Sequence, residues 1–138
     1  MGTRRRGEHS RSWTMIAELP QPLRGEIWNV DFPSDPPGKG PRPVLIVSTN
    51  SRNRHPKAIT VLVVPFSTTL TTYPTHIRLS AGQTGLPETS EIQPEQITAV
   101  RKEYLKPRPG MRTQPEGIIA QVAKSVVFAL GVQPGDIR

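Results

Sequence analysis

The sequence predicts a mainly β fold of the α+β kind: a strongly bent sheet or small barrel of antiparallel strands, capped by one C-terminal helix. Three observations predict it. Sixteen prolines and eleven glycines in 138 residues leave little room for long helices. Short apolar runs such as VLIV and VLVV are set between turn-rich connections. Only one segment, near the C-terminus, carries apolar residues at helical spacing over a long stretch. The length fits one domain with one core, and no internal repeat is visible.

The elements follow in order. MGTRRRGEHSRSWT is polar, basic and aperiodic, and residues 1–22 are expected to form a disordered basic extension, with Met1 and Met15 both candidate starts. Order is expected from Leu23, giving a domain over 23–138. RGEIWNVDF reads as a strand with a kink or bulge, because strict alternation fails between Ile27 and Val30. Residues 33–41, PSDPPGKGP, read as a long flap joining two strands. VLIVS (44–48) is a buried strand, TNSRNRHPK a polar loop, and AITVLVVPF (58–66) the central strand, with Pro65 near its end, where a missing N–H costs least. A hydroxyl-rich loop, STTLTTYPT, leads to a short strand, HIRLS, with Ile77 and Leu79 inward. AGQTGLPETS is a turn-rich connection. EIQPEQITAV is a strand broken near Pro94, RKEYL a basic turn, and MRT (111–113) a candidate short strand. PEGIIAQVAKSVVFALGV (115–132) is the helix, with Pro115 in its first turn and Gly131 as its stop. Its apolar face, Ile118, Ile119, Val122, Val126, Phe128, Ala129 and Leu130, is expected to cover the sheet.

Composition restricts function. There is no cysteine, so neither a disulfide framework nor a thiolate zinc site is expected. The three histidines, His9, His55 and His76, lack metal-ligand spacing, so neither a metal nor any other cofactor is expected. No apolar run approaches the roughly 20 residues that span a bilayer, and no signal peptide is visible; a cytoplasmic protein with no membrane partner is expected. The net charge is +7. Residues 1–14 hold four arginines against Glu8, and the remainder 14 basic and 10 acidic side chains, so the body stays at +4 without the tail. A polyanion, either nucleic acid or an acidic peptide, is the partner such a charge suits.

Common catalytic constellations, GxSxG, P-loop, HExxH and CxxC, are missing. What remains is arginine plus hydroxyls on a basic β fold. Arg42 stands where the strand VLIVS begins, and Ser67, Thr68 and Thr69 where VLVVPF ends. That set suffices for RNA cleavage, because RNA carries its own nucleophile. The protein has only to align the 2′-OH with the phosphorus, stabilise the pentacoordinate oxyanion and manage two protons. A guanidinium supplies the charge and a donor fork matched to phosphate.

In order, RGEIWNVDF, a Gly/Pro loop, RPVLIVSTNSRN, VLVVPFSTT, YPTHIRLSAGQTGLP and EIQPEQITAV resemble the MazF/PemK (Kid) toxins of type II toxin–antitoxin modules, from about Arg24 to Leu105. The resemblance implies a small SH3-like barrel that forms a homodimer. It implies sequence-specific, metal-independent cleavage of single-stranded RNA, leaving 2′,3′-cyclic phosphate and 5′-OH ends. A cognate acidic antitoxin is implied as well, and DNA binding by the toxin–antitoxin complex. The family's catalytic arginine maps to Arg42, which read alone is a strand-edge cation. The family's threonine maps to Ser67, a departure that keeps the hydroxyl and loses the methyl, with Thr68 as the alternative hydroxyl.

Arg24, Lys39, Tyr73, His76 and Gln96 are candidate RNA contacts, Tyr73 through stacking on an unpaired base. Gln96 reads equally as a sheet-surface amide, Glu26 as structural, Trp28 as core or dimer interface and His55 as solvated. The competing functions are a CcdB-like gyrase poison, which shares the fold but lacks the RPVLIVS arginine, and a catalytically inactive relative that only binds an antitoxin or nucleic acid.

Overall fold

The computed structural model describes residues 19–133. Most of the expected basic extension therefore lies outside the described residues; of residues 19–22, which are described, Pro22 is buried. Seven strands, β1 (Ile27–Val30), β2 (Arg42–Ile46), β3 (Thr60–Ser67), β4 (Ile77–Leu79), β5 (Ser90–Ile92), β6 (Thr98–Arg101) and β7 (Leu105–Lys106), are joined by antiparallel pairings only. The order is β4-β5-β3-β2-β1-β7, with β6 also on β3. The expected central strand is central: β3 carries β2 on one side, and β6 then β5 on the other. The expected break near Pro94 is a 3₁₀ turn, Pro94–Gln96, between β5 and β6.

Connectivity makes the sheet curl. β6 and β7 sit at opposite ends of the path β6-β3-β2-β1-β7, about 19 Å apart if the sheet were flat. The chain runs from Arg101 to Leu105 in four peptide links, which reach about 14 Å at most. The sheet bends accordingly, and Val100 and Leu105 meet in one core with Val30, Val44, Ile46, Val61 and Val63. It does not close: β4 and β7 remain its ends.

Both faces are buried, which explains the unbroken apolar runs. Along β2, Val44 and Ile46 enter that core, while Leu45 and Val47 enter a second one with Val64, Phe66, Ile92 and two helix residues, Ile119 and Val122. Each such side chain, removed from water, contributes roughly 1.5–3 kcal/mol. The same fact corrects the expected bulge in RGEIWNVDF. Ile27 and Val30 belong to different cores, so their odd spacing is ordinary alternation, and β1 pairs with β2 without interruption from Ile27↔Leu45 to Val30↔Arg42.

Two helical turns replace expected loops. TNSRNRHPK contains α1 (Asn50–Arg54), whose Thr49 side chain accepts from the Arg52 N–H. The fully buried Asn53 donates to the Ser48 carbonyl at 3.0 Å. AGQT is α2 (Ala81–Thr84), started by a capping box between Ser80 and Gln83 and ended by Gly85 at φ +89°. MRT is not a strand. The long helix is α3 (Glu116–Ala129), with Pro115 as its N-cap rather than inside it and Gly131 at φ +77° just beyond. Its apolar face is narrower than expected. Ile119 and Val122 are buried, but Phe128 and Leu130 are 66% and 72% exposed: at 100° per residue Phe128 lies on the side opposite Val126, and Leu130 stands past the last helical residue, Ala129.

Candidate active site

The β2–β3 register fixes the geometry. Val44 faces Pro65 and Leu45 faces Val64; two residues beyond Val44↔Pro65, the same register sets Arg42 across from Ser67. On the other side of β3, Ser67 pairs with Glu91 of β5, and Glu91 with Arg78 of β4. Arg42, Ser67, Glu91 and Arg78 thus form a polar row across four strands at one end of the sheet. Arg42 and Ser67 line a cleft of about 520 Å³, together with Lys39 from the β1–β2 flap and Thr68. Phe66, Leu86 and Pro43 give it an apolar floor; Glu88, Ser90, Gln93 and Arg108 complete its wall.

Arg42 is held on two sides. Its guanidinium lies 4.6 Å from the centroid of the Phe32 ring, a cation–π distance. Its Nη2 donates to Asp35 Oδ1 at 3.2 Å. Nε and Oδ2 are 3.1 Å apart, close enough for charge attraction, yet both are buried and neither makes an aligned hydrogen bond. Asp35 comes from the flap, so a carboxylate meets the guanidinium where an incoming phosphate would compete for it. Ser67 Oγ accepts from the Thr69 N–H at 3.1 Å, which fixes the oxygen and leaves the hydroxyl proton free to donate.

The loop that follows Ser67 is strapped to Glu91. This carboxylate accepts from the Thr71 N–H and Oγ1 at 3.1 Å, from Arg78 Nε at 3.1 Å and Nη2 at 2.8 Å, and lies 3.0 Å from His76 Nδ1. Arg78 Nη2 also reaches the Thr71 carbonyl at 3.0 Å. Burial works against the charged form of Glu91, but the bonds from Arg78, His76 and Thr71 outweigh it and bring its pKa down to about 2. Glu91 is therefore a poor proton acceptor, although it stands beside Ser67.

His76 bridges two carboxylates, with Nε2 2.7 Å from Glu95. Burial pulls its pKa down, but the bonds to Glu95 and Glu91 raise it above 6.5. The two carboxylates meet opposite ring nitrogens, so they do not converge on one ion, and among the described residues no group of three His, Asp or Glu is placed to hold a metal.

The cleft gathers Lys39, Arg42, Ser67 and Thr68 of the candidate residues; Arg24, Tyr73, His76 and Gln96 do not line it. Arg24 is a clamp. Its guanidinium pairs with Glu116 of α3 at 2.6–3.1 Å and also donates to the Val47 carbonyl. The His76 side chain is only 4% exposed inside its carboxylate bridge. Tyr73 is 66% exposed and meets the His76 ring edge-on at 5.2 Å. Gln96 lies exposed on the 3₁₀ turn. Glu26 is structural as expected, accepting from the Leu23 N–H at 2.7 Å and Trp28 Nε1 at 3.0 Å, and His55 is exposed.

Sequence reasoning missed Glu88, Gln93 and Arg108. Gln93 was within reach, since it directly precedes the Pro94 that breaks the strand. Arg108 reaches the cleft from the far end of the chain, its Nη1 bonded to Asn29 Oδ1 at 3.0 Å, and no local pattern marks it.

Comparison with known proteins gives the family and the fold. A family model described as PemK-like, MazF-like toxin of type II toxin–antitoxin system matches residues 23–129. The chain is 34% identical over 84 residues to endoribonuclease MazF1 of Mycobacterium bovis and, equally, to endoribonuclease MazF4 of Mycobacterium tuberculosis, covering 61% of this chain and 70% of each relative. A solved mycobacterial endoribonuclease in complex with its cognate antitoxin is 28% identical and superposes with a TM-score of 0.63 over 81% of this chain and 97% of that one. A MazE–MazF complex from Deinococcus radiodurans, 18% identical, shares the fold with a TM-score of 0.65, over 83% of this chain and all of the other.

Proposed function

The chain belongs to the PemK-like, MazF-like toxins of type II toxin–antitoxin systems, and from that premise we propose that it cleaves single-stranded RNA at the Arg42–Ser67 cleft. It is an endoribonuclease toxin, as its curated relatives are. The gyrase-poison alternative is not favoured by these relatives.

The observation that carries the chemistry is the meeting of Arg42 and Ser67 in one cleft with a lysine and a second arginine. In the proposed reaction the RNA 2′-oxygen bonds to the adjacent phosphorus and loses its proton. The bond to the 5′-oxygen breaks, and that oxygen gains a proton. The products are a 2′,3′-cyclic phosphate and a 5′-OH, and no metal takes part. Arg42 neutralises the charge that builds on the phosphoryl oxygens and stands ready to steady the leaving 5′-oxygen. Phosphate displaces Asp35 from the guanidinium or shares it. Ser67 donates to a phosphoryl oxygen or orients the 2′-OH, with Thr68 the alternative hydroxyl. Lys39 and Arg108 attract the flanking phosphates.

On this reading residues 1–22 stand outside the chemistry, and the toxin acts in the cytoplasm as a homodimer. A cognate acidic antitoxin competes with RNA for the basic cleft; the antitoxin-bound relative supports such a partner. The test is to incubate the purified chain with a long unstructured RNA, map the cut, and repeat with a synthetic RNA carrying a single 2′-deoxynucleotide at that position. Cleavage of the first and none of the second supports the reading; equal cleavage of both refutes it.

A further inference from the structure

Glu88 brings to the cleft a feature that phosphate binding does not use. It lines the same cavity as Lys39, Arg42 and Arg108. Among the described residues its carboxylate makes no hydrogen bond or ion pair; only its main-chain carbonyl is engaged, accepting from Ser90 Oγ at 3.1 Å. The Gln93 side chain, in the same wall, is equally unpaired, although its backbone N–H donates to the Pro65 carbonyl at 3.0 Å. An unpaired carboxylate is a cost in a cleft that receives a polyanion, because it repels phosphate. The cost is recovered where the carboxylate meets an uncharged donor. In single-stranded RNA the donors that differ from one nucleotide to the next are the amino and imino groups of the bases. Leu86 and Phe66, both buried, supply an apolar floor on which a base face can rest.

The wall is also set before RNA arrives. Gly85 takes a left-handed φ of +89°, and a Cβ there would run into the Gly110 carbonyl. The Leu86 N–H donates to Thr84 Oγ1 at 3.0 Å, and the Arg112 N–H to the Thr84 carbonyl at 2.8 Å. The segment that carries Glu88 is thereby tied to the chain before α3.

We propose that Glu88, with Gln93, forms a base-reading subsite that selects an amino-bearing base against uracil at one nucleotide flanking the scissile phosphate. The inference rests on the endoribonuclease reading and adds to it a preference in the substrate. Guanine suits the carboxylate best, since its adjacent N1–H and N2–H₂ donors match two oxygens. Cytosine and adenine each offer one amino group. Uracil presents an imino N–H between two carbonyls, so a carboxylate that approaches it meets lone pairs on both sides.

The test maps every cut made in a long RNA by the full chain and by E88Q. Each base flanking a preferred cut is then replaced by uracil in synthetic oligonucleotides. The expected result is one flanking position from which uracil is absent, where uracil lowers kcat/KM by about tenfold or more. In E88Q, whose amide adds a donor for a uracil carbonyl, that penalty shrinks to within about threefold. An E88Q map that superimposes on that of the unaltered chain overturns the proposal. So does an E88Q chain that binds RNA but cuts nowhere, which would give Glu88 a part in proton transfer. If the unaltered chain cuts no RNA at all, the endoribonuclease reading falls and this inference falls with it.

Discussion

Arg42 combines two properties rarely compatible in a surface arginine: it is packed against Phe32 and Asp35, yet it opens into the cleft. Packing removes rotamer freedom before substrate binds, so less entropy is lost when a phosphate docks. Arg42→Ala is expected to lower kcat/KM by roughly 10²–10³, with the fold intact. Arg42→Lys should recover little, because a point charge does not reproduce the fork. Single-turnover cleavage assays check both, and near-normal turnover by the alanine variant would remove Arg42 from the chemistry. Ser67→Ala should slow cleavage by about tenfold or more with a small loss in RNA binding, and Thr68→Ala by less than about threefold. A silent Ser67→Ala beside an inactive Thr68→Ala would transfer the role to Thr68. The family resemblance singled out Arg42 and Ser67, which read alone are a strand-edge cation and a polar turn; the β2–β3 register puts both at one end of the sheet. Arg24, also a motif residue, stands outside the cleft, and only the fold reveals Glu116 beside it.

At the scale of elements, the short β4–β5 pair depends on charge more than on length. Its three-residue strands are joined through His76, Arg78, Glu91 and Glu95. His76, raised above its ordinary 6.5, contributes stability that is complete below pH 6.5 and is lost as pH rises through the folded value. Glu91, lowered from 4.5 to about 2, contributes stability present above pH 4.5 and lost as pH falls toward 2. Stability is therefore expected to peak between about pH 4.5 and 6.5. Thermal unfolding of the chain and of His76→Gln across pH tests this, the variant losing the alkaline decline; identical profiles would show that the bridge contributes nothing. Gly25 is a second point of dependence. At φ +92° a Cβ would stand 2.6 Å from the Gln114 carbonyl oxygen, so Gly25→Ala should destabilise by about 2 kcal/mol or more in denaturant titration. Strands β1 to β6, the break at Pro94 and α3 were legible because hydrophobic pattern and punctuation determine them; the two-residue β7 was not, since it begins at the end of what reads as a basic turn. α1 and α2 were not, since each is about one turn held by a cap and tertiary bonds, without an apolar period to announce it. The angle that turns Phe128 away from Val126 was open to the sequence and overlooked; the exposure of Leu130, past the end of α3, was not legible.

For the whole molecule, the +7 charge and the strand pairing act together: the pairing registers place one end of four strands in a row, and a net positive charge suits a polyanion there. Residues 1–14 carry four of the eighteen basic side chains, so removing them should weaken RNA binding most at low salt and leave the cleavage sites unchanged. A changed cleavage map would bring the tail into the site. The central claim is that the RNA supplies the nucleophile and the Arg42–Ser67 cleft the rest. It is tested most directly by the end groups left on RNA cut by the purified chain in excess EDTA. Cyclic phosphate and 5′-OH ends, formed by the unaltered chain and not by Arg42→Ala, are the expected result. Ends bearing 5′-phosphate, or cleavage that stops on chelation, would contradict the account.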